Sequence, residues 1–343
     1  MKKINLIVAT ALAVNVFATS IIYAQSVRDY PTIAAGYAPY PMAVAVSEQL
    51  TQSGKLKKAP NIQSTSPELA YKQFCASDGI ESLDAAVVLR PMTADEQELC
   101  ANNDVKDILK FKTGVTAVVI AFTGNIKDFE LLSRKDLFLA MAKDIPDPQG
   151  GGKLIPNSYK TWKEINPAFP DIKIQIWNSS PVFAYYQVVL NQIMLAGCKQ
   201  FAALKNLEVT DPKNFEAICT TFRKDGAYSE YDNLDTVVQK LNNGMGIFTE
   251  AFANKFNLNK LPIDGVEPLQ ASIARNLYPV VSPLMLYVKR NHLSLVAGLK
   301  EYLVEATSES AIATSGYLLQ QGLIPLPLLE RRQIQTEVQS VIK

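Results

Sequence analysis

One apolar segment in the middle of the chain constrains the fold more than any other feature. Residues 115–122 (VTAVVIAF) are almost entirely aliphatic or aromatic, and several are β-branched. A strand of this composition has both faces buried, which occurs in sheets that helices cover on both sides. Residues 171–177 instead alternate between apolar and polar side chains and predict a half-buried strand. Together the two patterns favour an α/β protein.

The order of the other predicted elements supports this fold class. Residues 32–35 form a short apolar run that Gly36 ends, and residues 42–50 then predict a helix with Pro41 in its first turn. We predict further helices at 137–145, 182–204 and 293–304, short strands at 278–281 and 284–288, a loop at 146–156 and a charged helical tail to residue 343. This alternation predicts mixed sheets flanked by helices.

Composition and charge exclude several classes of function. The chain has 343 residues, 48% of them hydrophobic, which suffices for one large domain or two. Its formal net charge is only +1, so the sequence offers no broad basic footprint for nucleic acid. His292 is the single histidine, and we expect it at the surface or in a helix cap. One histidine excludes a histidine-rich metal site and leaves little room for Ser-His or Cys-His catalysis, so we do not expect an enzyme.

The first residues have the layout of a secretory signal peptide. Lys2 and Lys3 precede a mostly apolar stretch at 4–17, and Ala24 supplies a small residue for cleavage. The alternative is an uncleaved membrane anchor, which the polar residues inside the stretch disfavour. We therefore predict a signal peptide at 1–24, cleaved near Ala24, and export of the remainder.

The four cysteines fit an exported protein. Cys75 lies near Cys100 in the sequence, and Cys198 lies near Cys219, so two local disulfides are the simplest of the three possible pairings. Each would contribute roughly 3 kcal/mol by restricting the unfolded chain. A zinc site is disfavoured because no CxxC pair is present and because thiolate ligands suit a reducing compartment.

Aromatic residues gather near predicted turns and helix starts. Two interpretations stay open, since such rings either pack in a core or line a ligand cleft. The residues are Tyr37, Tyr40, Trp177, Phe183, Tyr185 and Tyr186.

Long strings of the predicted mature chain resemble the phosphate-binding proteins of bacterial ABC phosphate importers. They include residues 33–50 (IAAGYAPYPMAVAVSEQL), 159–172 (YKTWKEINPAFPDI) and 316–327 (GYLLQQGLIPLP), with shorter matches at 71–75 (YKQFC), 89–92 (LRPM) and 264–268 (DGVEP). The resemblance implies a type II periplasmic binding fold, with two α/β lobes of mixed sheets flanked by helices and a cleft between them. Lobe 1 would combine residues 25–114 and 252–343, and lobe 2 would be residues 115–251.

The same resemblance implies where the protein works and with what. It implies a monomer in the periplasm, without a cofactor, that holds a small-molecule or anionic ligand in the inter-lobe cleft. The membrane subunit of an ABC importer is the implied protein partner.

Two of the loops that hold phosphate in this family lack some of the family's phosphate-binding residues here. The family binds a dehydrated anion through Ser and Thr hydroxyls, backbone N–H groups at helix starts and a charged side chain. The first matching loop contains Gly36, Tyr37 and Ala38, which lack the family's hydroxyls. The second keeps Ser64 and Thr65 but lacks the glycines that let the backbone approach a ligand.

The charged part of the family's site is also reduced. Glu68 adds a negative charge to the second loop, and Arg90 is all that remains of the third. In the fourth loop, Phe183, Tyr185 and Tyr186 stand where the family has a serine, a threonine and an anion-clamping arginine. Each lost charge-assisted hydrogen bond would have contributed roughly 1.5–3 kcal/mol to binding.

These losses predict a solute-binding protein whose specificity for phosphate is altered or lost. A fourth-loop alignment that slips by a few residues would bring in Ser179 and Ser180, but no arginine. We expect the rings to suit an organic or aromatic ligand, with Arg90 as the one cationic group. The alternative is a non-transport envelope or interaction protein on the same scaffold, with the cleft filled by its own tyrosines. An open or a filled cleft discriminates between the two.

Overall fold

The strands of the protein follow its apolar runs. The structure, a computed structural model, describes residues 28–150, 153–183, 185–241 and 244–343, so the predicted signal peptide at 1–24 lies outside the described residues. Its strands are β1 (Thr32–Gly36), β2 (Asn61–Thr65), β3 (Ala85–Val88), β4 (Ile108–Phe122), β5 (Asp144–Pro146), β6 (Leu154–Pro156), β7 (Ile176–Ser179), β8 (Tyr228–Tyr231), β9 (Met245–Thr249), β10 (Asn259–Lys260) and β11 (Val281–Lys289).

Helices occupy most of the connections between these strands. They are α1 (Tyr40–Gln52), α2 (Pro67–Phe74), α3 (Ala94–Asn102), α4 (Arg134–Met141), α5 (Trp162–Ile165), α6 (Tyr186–Val189), α7 (Ala196–Cys198), α8 (Ala202–Thr210), α9 (Pro212–Thr220), α10 (Leu234–Lys240), α11 (Glu250–Lys255), α12 (Gln270–Ala274), α13 (Leu299–Ala306), α14 (Glu309–Ile312) and α15 (Leu328–Val341). A π-helical segment, Leu190–Leu195, joins α6 to α7 in one continuous helix. Short 3-10 helices lie at Ile126–Phe129, Asn291–Ser294 and Tyr317–Gln321.

The main sheet is mixed, which confirms the predicted fold class. Its strand order is β2-β1-β3-β11-β4-β9-β7-β8, with β10 also paired to β4. β1 is parallel to β2 and β3, and β7 is parallel to β8 and β9. β11 is antiparallel to both of its neighbours, β3 and β4. Because β1, β2 and β3 are parallel, the loops that follow them leave the same edge of the sheet.

Strand β4 connects two halves of this sheet. Its residues up to Ala117 pair with β11, and those from Val118 onward pair with β9. The hydrophobic cores divide at the same strand, since Phe111 packs in a core with α1 and α13, whereas Val119 packs in another with α4. The predicted strand at 115–122 is therefore the second part of a longer strand that begins at Ile108.

Residues 278–288 contain one strand where two were predicted. β11 includes Pro283, which has no N–H to donate to a neighbouring strand. Pro283 lies opposite Val115 of β4, and the register shifts just beyond it, between Leu284 and Met285. The irregularity accommodates a proline that sequence patterns treat as the end of a strand.

The amphipathic segment at 293–304 is interrupted, whereas one helix was predicted. A 3-10 turn ends at Ser294, and α13 begins only at Leu299. Gly298 lies between them with φ of 85°, in the left-handed region that a continuous helix excludes.

Four other predicted boundaries were also wrong. The helix expected at 137–145 ends at Met141, and the loop expected at 146–156 contains β6, which pairs with β5 as a hairpin. The helix expected at 182–204 starts at Tyr186 and ends at Cys198. The strand expected at 171–177 begins only at Ile176, because the preceding backbone bonds elsewhere: the N–H of Ile174 donates to the carbonyl of Lys160 at 2.9 Å.

His292 is fully buried, so the prediction of a surface or capping position was wrong. Its exposed fraction is 0%, and its Nδ1 lies 2.7 Å from Oδ1 of Asp84, itself 0% exposed. Nε2 of the ring lies 3.0 Å from the carbonyl oxygen of Asp78. Asp84 also accepts hydrogen bonds from Arg28 and, at 2.6 Å, from the backbone N–H of Thr32. This buried polar cluster ties the first described residue to the sheet.

Both predicted disulfides are present. The bond between Cys75 and Cys100 joins the end of α2 to α3, and the bond between Cys198 and Cys219 joins α7 to α9. All four cysteines are buried. Among the described residues, no helix combines the length and apolar character that a membrane crossing requires.

Candidate functional site

A cavity of about 170 Å³ opens at the edge of the sheet where the loops after β1, β2 and β3 leave it. The helix that starts with α6 and the proline bend of β11 form its other walls. Ligands of open α/β sheets bind outside the carboxyl ends of the strands, so this is the expected place for a site. The lining residues are Tyr37, Ala38, Pro39, Pro67, Glu68, Leu89, Arg90, Pro91, Gln187, Val188, Asn191, Gln192, Ser282 and Pro283. We call this the outer cavity.

A narrower, mainly apolar cavity of about 80 Å³ continues from the outer one, and we call it the inner cavity. The two share Ala38, Leu89 and Val188 as lining residues. Further lining residues of the inner cavity are Met42, Thr116, Ala117, Val118, Tyr185, Thr249, Glu250, Ala251, Gln321 and Gly322. The inner cavity therefore lies against the part of β4 where the strand changes partners.

The structure brings four of the predicted ligand-binding residues to these cavities. Tyr37 and Arg90 line the outer cavity, Tyr185 lines the inner one, and Ala38 lines both. Gly36 ends β1 directly before them. The other predicted residues, Ser64, Thr65, Phe183 and Tyr186, line neither cavity.

Arg90 is the cation of the outer cavity, and carboxylates already hold it. Its guanidinium donates two hydrogen bonds to Glu96, both at 2.7 Å, and lies 3.4 Å from a carboxylate oxygen of Glu68. It also donates to the carbonyl of Pro91 and sits over the ring of Tyr71. Burial alone would raise the pKa of Glu96, but hydrogen bonds from Arg90 and Thr93 lower it below its ordinary value. The ion pair is therefore fully charged near neutral pH.

The start of α2 is also poorly suited to an anion. An open helix start offers free backbone N–H groups and the positive end of the helix dipole. Here Ser66 caps the helix by accepting from the N–H of Leu69 at 3.2 Å, and Pro67 has no N–H to offer. Glu68 places a negative charge in the first turn. Side chains of the protein itself therefore occupy the start of α2, where an external anion would otherwise bind.

Tyr185 presents its ring to the inner cavity while its hydroxyl is held elsewhere. The hydroxyl lies 2.7 Å from that of Tyr231, which donates to the carbonyl of Ile247 at 2.8 Å. Burial raises the pKa of Tyr185 to about 12, so the phenol is neutral. The ring of Phe183 packs 5.7 Å from Tyr185 and 6.0 Å from Tyr231. These three rings form a packed cluster behind the cavity wall.

Tyr186 belongs to a different environment from Tyr185. Its ring packs 5.9 Å from Phe222. Burial, together with Glu230, raises the pKa of Tyr186 to about 12. Ser64 is exposed and Thr65 is buried, both at the end of β2. Tyr186, Ser64 and Thr65 are therefore close in sequence to residues of the cavities but do not line them.

Sequence reasoning missed the polar side chains that the helix and β11 contribute. Gln187 and Asn191 are one helical turn apart, and Gln192 donates from its side chain to the carbonyl of Val281 at 2.9 Å. Ser282 precedes the proline of β11. A signal was available, because polar residues four apart in an otherwise apolar helix mark one face. The π-helical segment, Leu190–Leu195, changes that face locally, and such segments are frequent at functional sites.

A mixed α/β sheet with a cavity at the carboxyl ends of its strands is the architecture of a solute-binding scaffold. The model of the PBP superfamily domain matches residues 24–310, and the chain belongs to this superfamily. A search of curated protein sequences gave no match.

Solved phosphate-binding proteins share the fold at low sequence identity. A possible phosphate binding protein from Planctomyces limnophilus is 19% identical with a TM-score of 0.65, and the match covers 93% of this chain and 100% of that one. PstS from Borrelia burgdorferi is 14% identical with a TM-score of 0.60, covering 88% and 100%. An ABC-type phosphate transport receptor from Vibrio cholerae is 13% identical with a TM-score of 0.59, covering 87% and 100%.

Proposed function

We propose that this chain is an exported solute-binding protein, related to the phosphate binders, whose cleft does not take inorganic phosphate. It would work in the periplasm as a monomer and pass its solute to the membrane subunit of an ABC importer. The fold and the superfamily support the binding role. The altered specificity rests on the contacts of Arg90 in the outer cavity.

The engagement of Arg90 carries this proposal. A phosphate dianion gains most from a cation whose N–H donors are free, but Arg90 is bound by Glu96 and approached by Glu68. Phosphate would have to displace one carboxylate and sit beside the other. Each charge-assisted hydrogen bond that the site fails to supply costs roughly 1.5–3 kcal/mol, and about 1.4 kcal/mol is a factor of ten in affinity. The loss of three such bonds removes tight binding.

We further propose two lobes, residues 25–114 with 252–343 and residues 115–251, on either side of the cavities. The change of partner strand after Ala117 supports a boundary within β4. β9 continues directly into α11 at Glu250, which provides the second crossing. Beyond the second crossing, Ala253, Leu261 and Ile273 pack in the same core as Val119, so this segment lies against lobe 2. Rotation about these crossings would open the cavities to solute.

Isothermal titration of the mature protein with inorganic phosphate tests the specificity. We expect no saturable heat at millimolar phosphate. Sub-micromolar binding would overturn the proposal. A thermal-shift measurement with phosphate, using chloride at matched ionic strength as a control, separates site binding from general salt effects.

The small size of the cavities favours one other function. Pockets for small molecules usually measure roughly 300–1,000 Å³, and both cavities are smaller. A protein whose rings fill its cleft would act through its surface, as an envelope or interaction protein. Native mass spectrometry of the protein purified from its own envelope distinguishes the two. A co-purifying small molecule supports solute binding, and a stoichiometric protein partner without one supports the interaction protein.

A further inference from the structure

We propose that the cavities take a small organic ammonium ion with a short alkyl chain. This inference rests on the proposed function, because it assumes that the cleft binds a solute. It is carried by three features: the net charge of the outer cavity, the hydrogen-bond acceptors on its walls, and the apolar character of the inner cavity.

The charged groups around the outer cavity leave an excess of negative charge. One guanidinium, Arg90, faces two carboxylates, Glu96 and Glu68, so the group carries a net charge of −1. The two parallel hydrogen bonds to Glu96 satisfy Arg90, which leaves the charge of Glu68 without an equal partner. No lysine or histidine of the described residues lines either cavity. Glu250 in the inner cavity lies 3.1 Å from Lys260 and adds no net charge.

The walls supply the acceptors that an ammonium group requires. Such a group has three N–H donors and no acceptor. Ser282 is only 4% exposed, lines the outer cavity, and makes no side-chain hydrogen bond to any described residue. The side chains of Gln187 and Asn191 line the same cavity and are likewise without partners in the described part of the chain. A carboxylate, a hydroxyl and amide oxygens therefore converge on one space.

The apolar surroundings select an organic cation over a metal ion. The ring of Tyr37 is 53% exposed at the outer cavity, and an aromatic face attracts ammonium groups. Ala38, Leu89 and Val188 line the passage to the inner cavity, where Met42 and other apolar side chains follow. An alkyl chain in this passage would leave its ammonium group in the outer cavity, which Glu68 lines.

Three four-carbon probes of similar shape and different charge, together with inorganic phosphate, test the inference. They are n-butylamine, n-butanol, butyrate and inorganic phosphate, titrated into the mature protein and followed by ligand-observed NMR. We expect n-butylamine to bind with a dissociation constant in roughly the millimolar range, because a molecule with so few atoms makes few contacts. We expect the two anions not to bind. We expect n-butanol to bind at least about threefold more weakly than the amine, because it lacks the charge.

Two variants locate the cation. Glu68→Gln removes the proposed anchor, and we expect about twofold to fivefold weaker binding of n-butylamine, since the carboxylate is exposed. Glu98→Gln makes the same charge change on α3, at an exposed position that lines neither cavity, and should leave binding unchanged. Thermal unfolding of both variants checks that each is folded.

The outcomes separate this inference from the proposed function. Equal binding of amine and alcohol, binding of butyrate, or equal effects of the two variants would overturn the ammonium assignment. If no butyl probe binds and phosphate also does not, the ammonium assignment fails while the loss of phosphate binding stands. Sub-micromolar phosphate binding would overturn both.

Discussion

Freeing Arg90 should give the outer cavity a measurable affinity for anions. The double variant Glu68→Gln and Glu96→Gln removes the two carboxylates that hold the guanidinium, and changes the net charge of this group from −1 to +1. The fold should tolerate the change, because Glu96 also accepts from the N–H of Thr93 at 2.8 Å and a glutamine oxygen can replace it in that capping contact. Only the charge is lost.

The expected gain follows from one restored interaction. Arg90 would be free to make a charge-assisted hydrogen bond to phosphate, worth roughly 1.5–3 kcal/mol, or about tenfold to 150-fold in affinity. The hydroxyls and glycines of the related family remain absent, so binding should reach only the millimolar range. High salt should weaken it, since the site is partly exposed.

Isothermal titration with phosphate measures this gain. The double variant Asp95→Asn and Glu98→Gln is the control, because it makes the same change in net charge on the outer side of α3. Adding Arg90→Gln to the first double variant should abolish the gain. The reasoning is refuted if the first double variant binds no better than the control, or if the triple variant binds equally well.

Three further predictions concern stability. Asp84→Ala should lower the free energy of unfolding, measured in urea, by about 3–5 kcal/mol, because it leaves His292 buried without its partner. A comparable loss of stability in Asp95→Ala, which changes an exposed residue, would contradict this. Burial lowers the pKa of Lys289 from 10.5 to about 8, so the unfolded chain holds the extra proton between these values, and the penalty that Lys289 imposes on the folded state should shrink by about 3 kcal/mol as the pH increases from 8 to 10.5. Buried tyrosines such as Tyr228 and Tyr317, whose pKa values burial raises, act in the opposite direction, so the quantity to measure is the difference in free energy of unfolding between the wild type and Lys289→Met in urea, and a difference that does not change with pH would refute the assignment. Gly197→Ala would place a Cβ 2.1 Å from the carbonyl oxygen of Arg134 and should lower the free energy of unfolding by about 1–3 kcal/mol or more, as measured by thermal unfolding. The control variant Gly79→Ala brings its Cβ near only a serine hydroxyl, so it should lower the free energy of unfolding by less.

The fold class was predictable because its main signals are local. The β-branched run at 115–122 and the proline at the start of α1 each act within a few residues, and both were correctly interpreted. The irregularities within these elements could not be predicted from local sequence. Pro283 stays inside β11 because β4 tolerates a register shift, and this depends on a strand far away in sequence. His292 is buried because Asp84, more than 200 residues earlier, holds it.

Of the rings predicted for the site, Tyr37 and Tyr185 line the cavities and Phe183 and Tyr186 do not, and the polar walls were not predicted. Tyr37 and Tyr185 follow the ends of strands, and the resemblance to a known family placed both near the cleft. Gln187 and Asn191 line the cavity because of the rotation of their helix, and of the two only Asn191 lies in the π-helical segment. Ser282 depends on the bend at the following proline. A one-dimensional pattern contains none of these orientations.

Arg90 lines the outer cavity, as the resemblance to the phosphate binders implied, but its charge is not free. Its charge is compensated by Glu96, whose place on α3 is fixed by a capping box with Thr93. The capping contact and the two hydrogen bonds from Arg90 together fix where this carboxylate sits. Removing the charge of Glu96 while keeping its capping contact is the perturbation that separates these two roles.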